Sequence, residues 1–177
     1  MAGGAVTTII RGTSPPELQA WLDRRRRLGQ DRRDEVWEGR YVVAPDPDSR
    51  HGELQAELAA LLKPVARRLG LRRTTTFNLG TSNDFRIPDA GLLPGPLGVW
   101  HDTAVVVVEV LSPEDDTFAK LDFYTAHGVQ ELLVADWHTR TIRCFAMQEG
   151  QQQRDRSEVL EATMSELEAS VDWPPLD

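Results

Sequence analysis

The most restrictive feature of this sequence is an apolar, mostly β-branched run near its centre. Residues 103–111 read Thr-Ala-Val-Val-Val-Val-Glu-Val-Leu, and Ser112 and Pro113 follow directly. A continuous run of this kind is typical of a strand that is buried on both faces at the centre of a sheet. Glu109 lies inside it. Because a carboxylate in a buried strand is costly to desolvate, we expect Glu109 to have a cation or a metal ion as a partner.

Two further charged residues flank this strand and complete a candidate site. Asp89 follows Pro88 upstream, and Lys120 lies downstream at the start of a predicted helix. Mg²⁺ binds through one or two carboxylates, so Asp89 and Glu109 on neighbouring strands would supply its ligands, with the backbone carbonyl of Val110 as a third. Lys120 would position the nucleophile or stabilise developing negative charge. Two acids and a lysine in this arrangement indicate a metal-dependent phosphodiesterase.

The order of the predicted elements indicates one mixed α/β domain at residues 14–177, after a tail at 1–13 that is loose or forms a short edge strand. A helix from about His51 repeats leucine at helical spacing and ends at Gly70. A second helix ends near His127 and crosses from the central strand to a strand at 132–135. Parallel neighbouring strands require such a crossover, so we expect these two strands to pair in parallel.

Shorter signals fill in the predicted organisation. The predicted caps, turns and breaks are a capping box at 14–17 with Ser14 as N-cap, a hairpin at Glu38-Gly39, an N-cap at Asp48 or Ser49, a kink or split at Pro64, a strand end beside Asp89, and an N-cap at Asp115 or Asp116. The remaining predicted segments are strands at 72–79, 85–93, 141–147 and 158–160 and a mobile loop at 151–156.

Composition excludes several classes of protein. The net charge of −8 argues against a broad basic face for nucleic acid. No apolar run reaches the length of a membrane span, and Met1–Ile10 lacks the pattern of a secretory signal. Cys144 is the only cysteine, which excludes an intrachain disulfide and a cysteine-rich zinc site. We therefore expect a cytoplasmic protein without membrane contact.

Several motifs follow one another along residues 30–140. They are Glu35 before Glu38-Gly39, His51 at a helix start, Pro88-Asp89, Glu109-Val-Leu-Ser-Pro, Asp116-x-x-x-Lys120 with Tyr124, His127-Gly128-Val129 with Glu131, and Val134-Ala-Asp136. This pattern resembles the PD-(D/E)XK nuclease superfamily and, more closely, the Uma-type putative restriction endonuclease family of bacteria. The resemblance implies a restriction-endonuclease-like fold, with a mixed central sheet flanked by helices. It also implies DNA as substrate and Mg²⁺ or Mn²⁺ at Asp89 and Glu109.

The sequence departs from the superfamily pattern at one position. The third residue of the E-x-K motif is Leu111, so the lysine must come from elsewhere. The family places it on the following helix, which fits Lys120. The resemblance also marks four accessory candidates, which are Glu35, His51, Asp116 and Tyr124. Because Asp116 and Lys120 are four residues apart, an ion pair within the helix is the alternative to a lysine in the site.

Two other functions remain open at this stage. The acidic net charge favours a module that binds nucleic acid or protein on the same fold without turnover, and it also suits a hydrolase of small phosphate esters. Fold alone does not decide among these functions. Arginines cluster at 24–27, 32–33, 67–68 and 72–73. We interpret these clusters as solvated faces of helices and strands, with a local basic groove as the alternative.

We further predict a homodimer. Cleavage of duplex DNA requires access to both strands, and a two-fold dimer supplies two sites related as the strands are. A groove made by two protomers would gather Arg67, Arg68, Arg72 and Arg73 near the substrate. The five tryptophans offer more apolar surface than one small core must hold; they are Trp21, Trp37, Trp100, Trp137 and Trp173.

Overall fold

The apolar run forms strand β9 (Val106–Val110) of a six-stranded main sheet in the computed structural model, which describes residues 8–10, 15–44, 48–112 and 116–176. All five residues of β9 are buried. The strand pairs antiparallel with β7 (Ala90–Leu93) and parallel with β10 (Glu131–Asp136), which confirms the predicted central strand and crossover. Strand β4 (Arg72–Thr75) lies outside β7, and β11 (Thr141–Ala146) and β12 (Gln152–Arg154) lie outside β10.

A second six-stranded sheet packs against the main sheet through Phe77 and Leu79. In spatial order its strands are β1 (Thr8–Ile10), β3 (Arg40–Val43), β2 (Glu35–Trp37), β6 (Asp84–Arg86), β5 (Asn78–Thr81) and β8 (Trp100–His101). Its neighbours pair antiparallel, apart from β5 and β8, which run parallel. The hairpin between β2 and β3 turns at Glu38 and Gly39 as predicted, both with positive φ.

Helices cover both faces of β9. The long helix α2 (Ser49–Leu69) packs its leucines on one face, and α3 (Leu121–Ala126) with its preceding 3₁₀ turn (Thr117–Lys120) contributes Tyr124 to the other. Helices α1 (Pro16–Leu28) and α4 (Met164–Ala169) complete the described helices. The mixed α/β class predicted from the sequence is confirmed. Among the described helices, none is long and apolar enough to cross a membrane.

The chain passes between the two sheets twice, and this divides two predicted strands. The segment 72–79 is not one strand, because β4 and β5 belong to different sheets. The segment 85–93 is likewise divided into β6 and β7, with the break at Pro88 and Asp89, where the sequence predicts a strand end. Strand propensity predicts extended chain in both segments, but it does not show that the chain passes from one sheet to the other within each of them.

Several local predictions need correction. Pro64 does not split α2; it lies on the exposed side of the helix, where water can reach the carbonyl that its missing N–H leaves free. The loop predicted at 151–156 instead holds β12, which pairs with β11, and the start of β13 (Arg156–Ser157). Residues 158–160 form a turn that leads to β14 (Ala162–Thr163).

The helix caps give mixed results. Asp48 caps α2 by accepting a hydrogen bond from the Arg50 amide, and Gly29 and Gly70 end α1 and α2 in the left-handed conformation. The predicted N-caps Ser14 and Asp115 lie outside the described residues. Helix α4 was not predicted, although Thr163-x-x-Glu166 is a capping box that the sequence displays.

Candidate active site

Glu109 lies on the face of β9 that is turned toward α3. Side chains alternate along a strand, and the even-numbered valines of β9 pack into the cluster with α2. Val107 packs on the opposite face with Tyr124, and Glu109 shares that face. The acid is only 4% exposed. Strand periodicity therefore directs this one carboxylate away from α2 and toward the 3₁₀ turn and α3.

The cation that Glu109 was expected to have is Lys120. The Lys120 ammonium donates to Glu109 Oε1 at 3.1 Å, and the Tyr124 hydroxyl donates to the same oxygen. Lys120 and Tyr124 are four residues apart on one continuous helical segment, so both side chains reach the same place. The Lys120 ammonium therefore points toward Glu109 and not into solvent.

Burial shifts the pKa of both groups in this contact. Burial raises the pKa of Glu109 to about 8; the Lys120 charge opposes the rise, whereas the charges of Asp89 and Glu35 add to it. Burial also raises the pKa of Tyr124 well above its usual value, and the charges of Glu109 and Glu35 act in the same direction. Tyr124 therefore remains a phenol that donates a hydrogen bond. Without a further cation, Glu109 is mainly protonated at pH 7.

Asp89 lies beside Glu109 where β7 begins. The antiparallel register pairs Ala90 with Val108, so Asp89 immediately precedes the paired part of β7, next to the segment of β9 that holds Glu109. The Asp89 amide donates to Val108 O at 3.1 Å, and Asp89 Oδ2 accepts from the Val110 amide at 2.9 Å. Because Asp89 lies between β6 and β7 and not within a strand, its carboxylate can accept a hydrogen bond from the backbone of β9.

The other oxygen of Asp89 is held by residues from outside the main sheet. His51 Nε2 lies 2.8 Å and Arg33 Nη1 lies 3.3 Å from Asp89 Oδ1. Burial alone would raise the pKa of Asp89, but the hydrogen bond and charge of His51, the Val110 amide and the Arg33 charge outweigh it and hold that pKa below its usual value. Asp89 is therefore an anion under conditions in which Glu109 still binds a proton.

Glu35 joins the second sheet to the same cluster. Its Oε1 accepts from the Lys120 ammonium at 3.1 Å and from the Ile87 amide at 2.7 Å. Its Oε2 accepts from Trp37 Nε1 at 2.6 Å. This accessory candidate is 6% exposed and shares Lys120 with Glu109. The lysine is thus held between acids from two different sheets.

Sequence reasoning missed two residues that hold Asp89. Gln55 donates to the backbone carbonyl of Asp89 at 2.6 Å and accepts from Arg33 at 3.2 Å. The signal for Gln55 was available, because it follows His51 by four residues and both are polar positions on the buried face of α2. Arg33 gave no such signal, since it stands in an arginine pair that resembles a solvated face.

The structure does not bring Asp116 into the same cluster. Asp116 is exposed and makes no side-chain capping bond, and it forms no ion pair with Lys120, so the alternative of a pair within the helix is wrong. Val110 contributes its amide to Asp89, and its carbonyl stays a predicted ligand. In the described part of the chain, no three side chains of His, Cys, Asp or Glu are arranged to hold a metal ion.

Comparison with known proteins identifies the family of this chain and a structure with a similar fold. Residues 15–173 match the model of the Uma2 family, described as "Putative restriction endonuclease". The chain belongs to this family. The structure of this Uma2-family chain is also similar to the crystal structure of a putative nuclease belonging to DUF820 from Anabaena variabilis ATCC 29413. That structure matches with a TM-score of 0.64 and 16% identity, over 77% of this chain and 90% of the other. A comparison with curated proteins finds no match.

The donor set of this Uma2-family protein fits a hard divalent cation. Mg²⁺ and Mn²⁺ prefer oxygen ligands, and Mg²⁺ is held by one or two carboxylates together with water. Asp89 and Glu109 provide two buried carboxylates, one immediately before β7 and one within β9, and a bound cation would favour the ionised form of Glu109.

Proposed function

We propose that this protein is a metal-dependent endonuclease that hydrolyses phosphodiester bonds of DNA. The observation that carries the proposal is the buried Glu109 of β9, which lies beside Asp89 and 3.1 Å from the Lys120 ammonium. Asp89 and Glu109, with the Val110 carbonyl, would hold Mg²⁺ or Mn²⁺. The bound cation supplies a Lewis acid for the phosphate and lowers the pKa of a bound water.

We assign to Lys120 the role of orienting the attacking water or stabilising the negative charge that develops on the phosphate. Its ammonium is anchored by Glu35 from behind and points at Glu109, so it lies beside the proposed cation. A fixed ammonium at that place orients a water or stabilises negative charge on phosphate oxygens without reorganisation. The side chain of Lys120 is only 12% exposed, which strengthens this interaction by excluding water.

The remaining side chains hold the carboxylates in position. Tyr124 fixes Glu109, while His51 and Arg33 fix Asp89. Ser112 Oγ lies 3.3 Å from His51 Nδ1, on the side of the ring away from Asp89. We assign His51 and Tyr124 positioning roles, because the acids they contact are the groups that would bind the cation.

Metal-dependent nicking of supercoiled plasmid DNA tests the proposal. We expect nicking with Mg²⁺ or Mn²⁺, no nicking in EDTA, and loss of nicking in Glu109→Gln. Glu131→Gln is the matched control, because Glu131 is a buried acid on the next strand whose partners are Ser157 and the Glu158 and Val159 amides. Equal loss of nicking in both variants, or nicking that persists in EDTA, would contradict the assignment.

A second candidate function is a binding module that does not turn over. The lack of a three-side-chain metal cluster in the described part of the chain favours it, because a cation held by few protein ligands is easily lost. The same assay separates the two functions. A wild-type protein that binds DNA but leaves the plasmid intact with both metals is such a module.

We also propose a homodimer formed through the edge of the second sheet. Strand β8 is an edge strand; its Trp100 is 42% exposed, and Leu97 and Val99, which precede it, are 61% and 70% exposed. An exposed apolar edge is typical of a surface that pairs with another chain. Light scattering at micromolar concentration should give about twice the 19.9 kDa chain mass, and Val99→Asp should reduce it to one chain. A wild-type mass of one chain contradicts the dimer.

A further inference from the structure

A cleft opens directly beside Asp89 between α2 and the edge strand β4. It has a volume of about 340 Å³ and is lined by Gly52, Gln55 and Ala56 of α2, by Thr75 and Thr76, and by Arg32 and Arg33. Gln55 and the Thr76 amide both bond to the carbonyl of Asp89, so the cleft shares a wall with the carboxylate site. The lining consists of hydroxyl, amide and guanidinium groups. These groups hydrogen-bond phosphate oxygens.

A second cleft of about 370 Å³ lies farther along the same two elements. Its walls are Lys63, Ala66 and Arg67 of α2, Gly70 and Leu71, and Arg72 and Arg73 of β4. Four of these seven residues are cationic. Within the described parts of the chain, Arg32, Lys63, Arg67 and Arg72 have no carboxylate within ion-pair distance. Their positive charge is therefore not neutralised by the protein.

The two clefts follow one another along α2 and β4, and we refer to them together as the α2–β4 groove. Helix α2 runs away from the site from Gln55 to Arg67, and β4 runs back toward it, since Thr75 pairs with Ala90 and Arg72 with Leu93. The twelve residue-to-residue steps from Gln55 to Arg67 span about 18 Å of helix. At the axial rise of about 3.4 Å per nucleotide of one strand in B-form DNA, this length matches about five nucleotides.

Arg68 does not belong to the cationic lining of the groove. Although it neighbours Arg67, it is turned toward the C-terminal segment, where it pairs with Glu161 at 2.5 Å and donates to Val159 O at 2.8 Å. Arg73 donates to the carbonyl of Ala59 at 3.0 Å and thus crosses from β4 to α2 between the two clefts. Three of the four arginines that the sequence grouped as a substrate surface therefore line one groove within a single chain.

We infer that the α2–β4 groove binds the sugar-phosphate backbone of one DNA strand and leads it to Asp89 and Glu109. This inference rests on the proposed function for the direction of the strand, because the groove ends at the site assigned to cleavage. The net charge of −8 does not oppose it, since the unpaired cations are concentrated along one groove. The contacts are to phosphates, so binding should depend strongly on salt and little on sequence.

Equilibrium binding without cleavage tests the groove. The probe is a fluorescein-labelled single-stranded oligodeoxythymidylate of about 12 nucleotides, titrated in EDTA and followed by anisotropy between about 50 and 200 mM NaCl. The double variant Arg67→Gln/Arg72→Gln removes two charges from the far cleft. Arg24→Gln/Arg27→Gln is the matched control, because both arginines are exposed on α1 and the change in net charge is the same.

We expect the groove variant to bind about tenfold more weakly than wild type at low salt. Four unpaired cations predict a slope of log K against log salt of about −3, and removal of two should reduce it to about −1.5. The control should keep the wild-type affinity and slope. Equal weakening of both variants, or no binding by wild type, overturns the groove. Nicking by wild type in Mg²⁺ is measured separately, so failure of the groove is distinguishable from failure of the proposed nuclease activity.

Discussion

Replacing Glu109 by glutamine should stabilise the metal-free protein at alkaline pH. Glutamine keeps the size of the side chain and retains an oxygen that accepts from the Tyr124 hydroxyl and the Lys120 ammonium. What it removes is the buried negative charge. Alanine is a poorer test, because it also removes the partner of Lys120 and leaves a cavity beside Tyr124.

The magnitude follows from the pKa of Glu109, which rises from 4.5 to about 8 on folding. An acid with a raised pKa in the folded state holds its proton more tightly there, so folding loses stability as pH rises from the unfolded pKa to the folded one. At about 1.4 kcal/mol per unit, the loss is about 1 kcal/mol at pH 5 and approaches 5 kcal/mol at pH 9. Glu109→Gln lacks this dependence and should gain about 4 kcal/mol relative to wild type across that range.

Urea unfolding in EDTA, repeated from about pH 5 to pH 9, measures this difference directly. Wild type and Glu109→Gln should have similar stability at the acidic end and diverge steadily above it, with equal m-values. The matched control Glu131→Gln should not reproduce that divergence. If Glu109→Gln is less stable than wild type by a constant amount at every pH, Glu109 is ionised and acts as a structural partner of Lys120, and the reasoning from burial is refuted.

Two further predictions concern the same cluster, and a third concerns the buried Asp34, which lies outside it. Because Glu109 must lose its proton to bind a cation, nearly one proton should be released per Mn²⁺ bound at about pH 7. Calorimetry in buffers of different ionisation enthalpy measures this release, and a binding enthalpy independent of the buffer together with an affinity independent of pH would contradict it. Lys120→Met should reduce nicking by about 10²- to 10³-fold and move the pH midpoint of metal binding upward, since the Lys120 charge lowers the pKa of Glu109; an unchanged midpoint argues against the contact. Asp34→Ala should destabilise the fold by about 3–5 kcal/mol, because it leaves Arg25, the Tyr41 hydroxyl and the Ala44 amide without their shared acceptor; unfolding measurements that show under 1 kcal/mol of loss would contradict it.

The sequence by itself determined the centre of the fold and the main members of the site. The valine run specified a strand buried on both faces, and the acid within it required a cation, which proved to be Lys120. Helical spacing located α2, and the glycines at its end and at the end of α1 fixed where each helix stops. These are local signals, because periodicity, charge in an apolar run and left-handed glycines each depend on a few neighbouring residues.

The tertiary structure alone decided how distant segments meet. The division of 72–79 and 85–93 between two sheets, the contact of Arg33 with Asp89 and the sharing of Lys120 by Glu35 and Glu109 join residues 56, 85 and 11 positions apart. The groove between α2 and β4 likewise depends on a helix and a strand that pack side by side in opposite directions. No local pattern encodes such contacts, since packing and burial against the other sheet or helix determine which of several similar arginines and acids face one another.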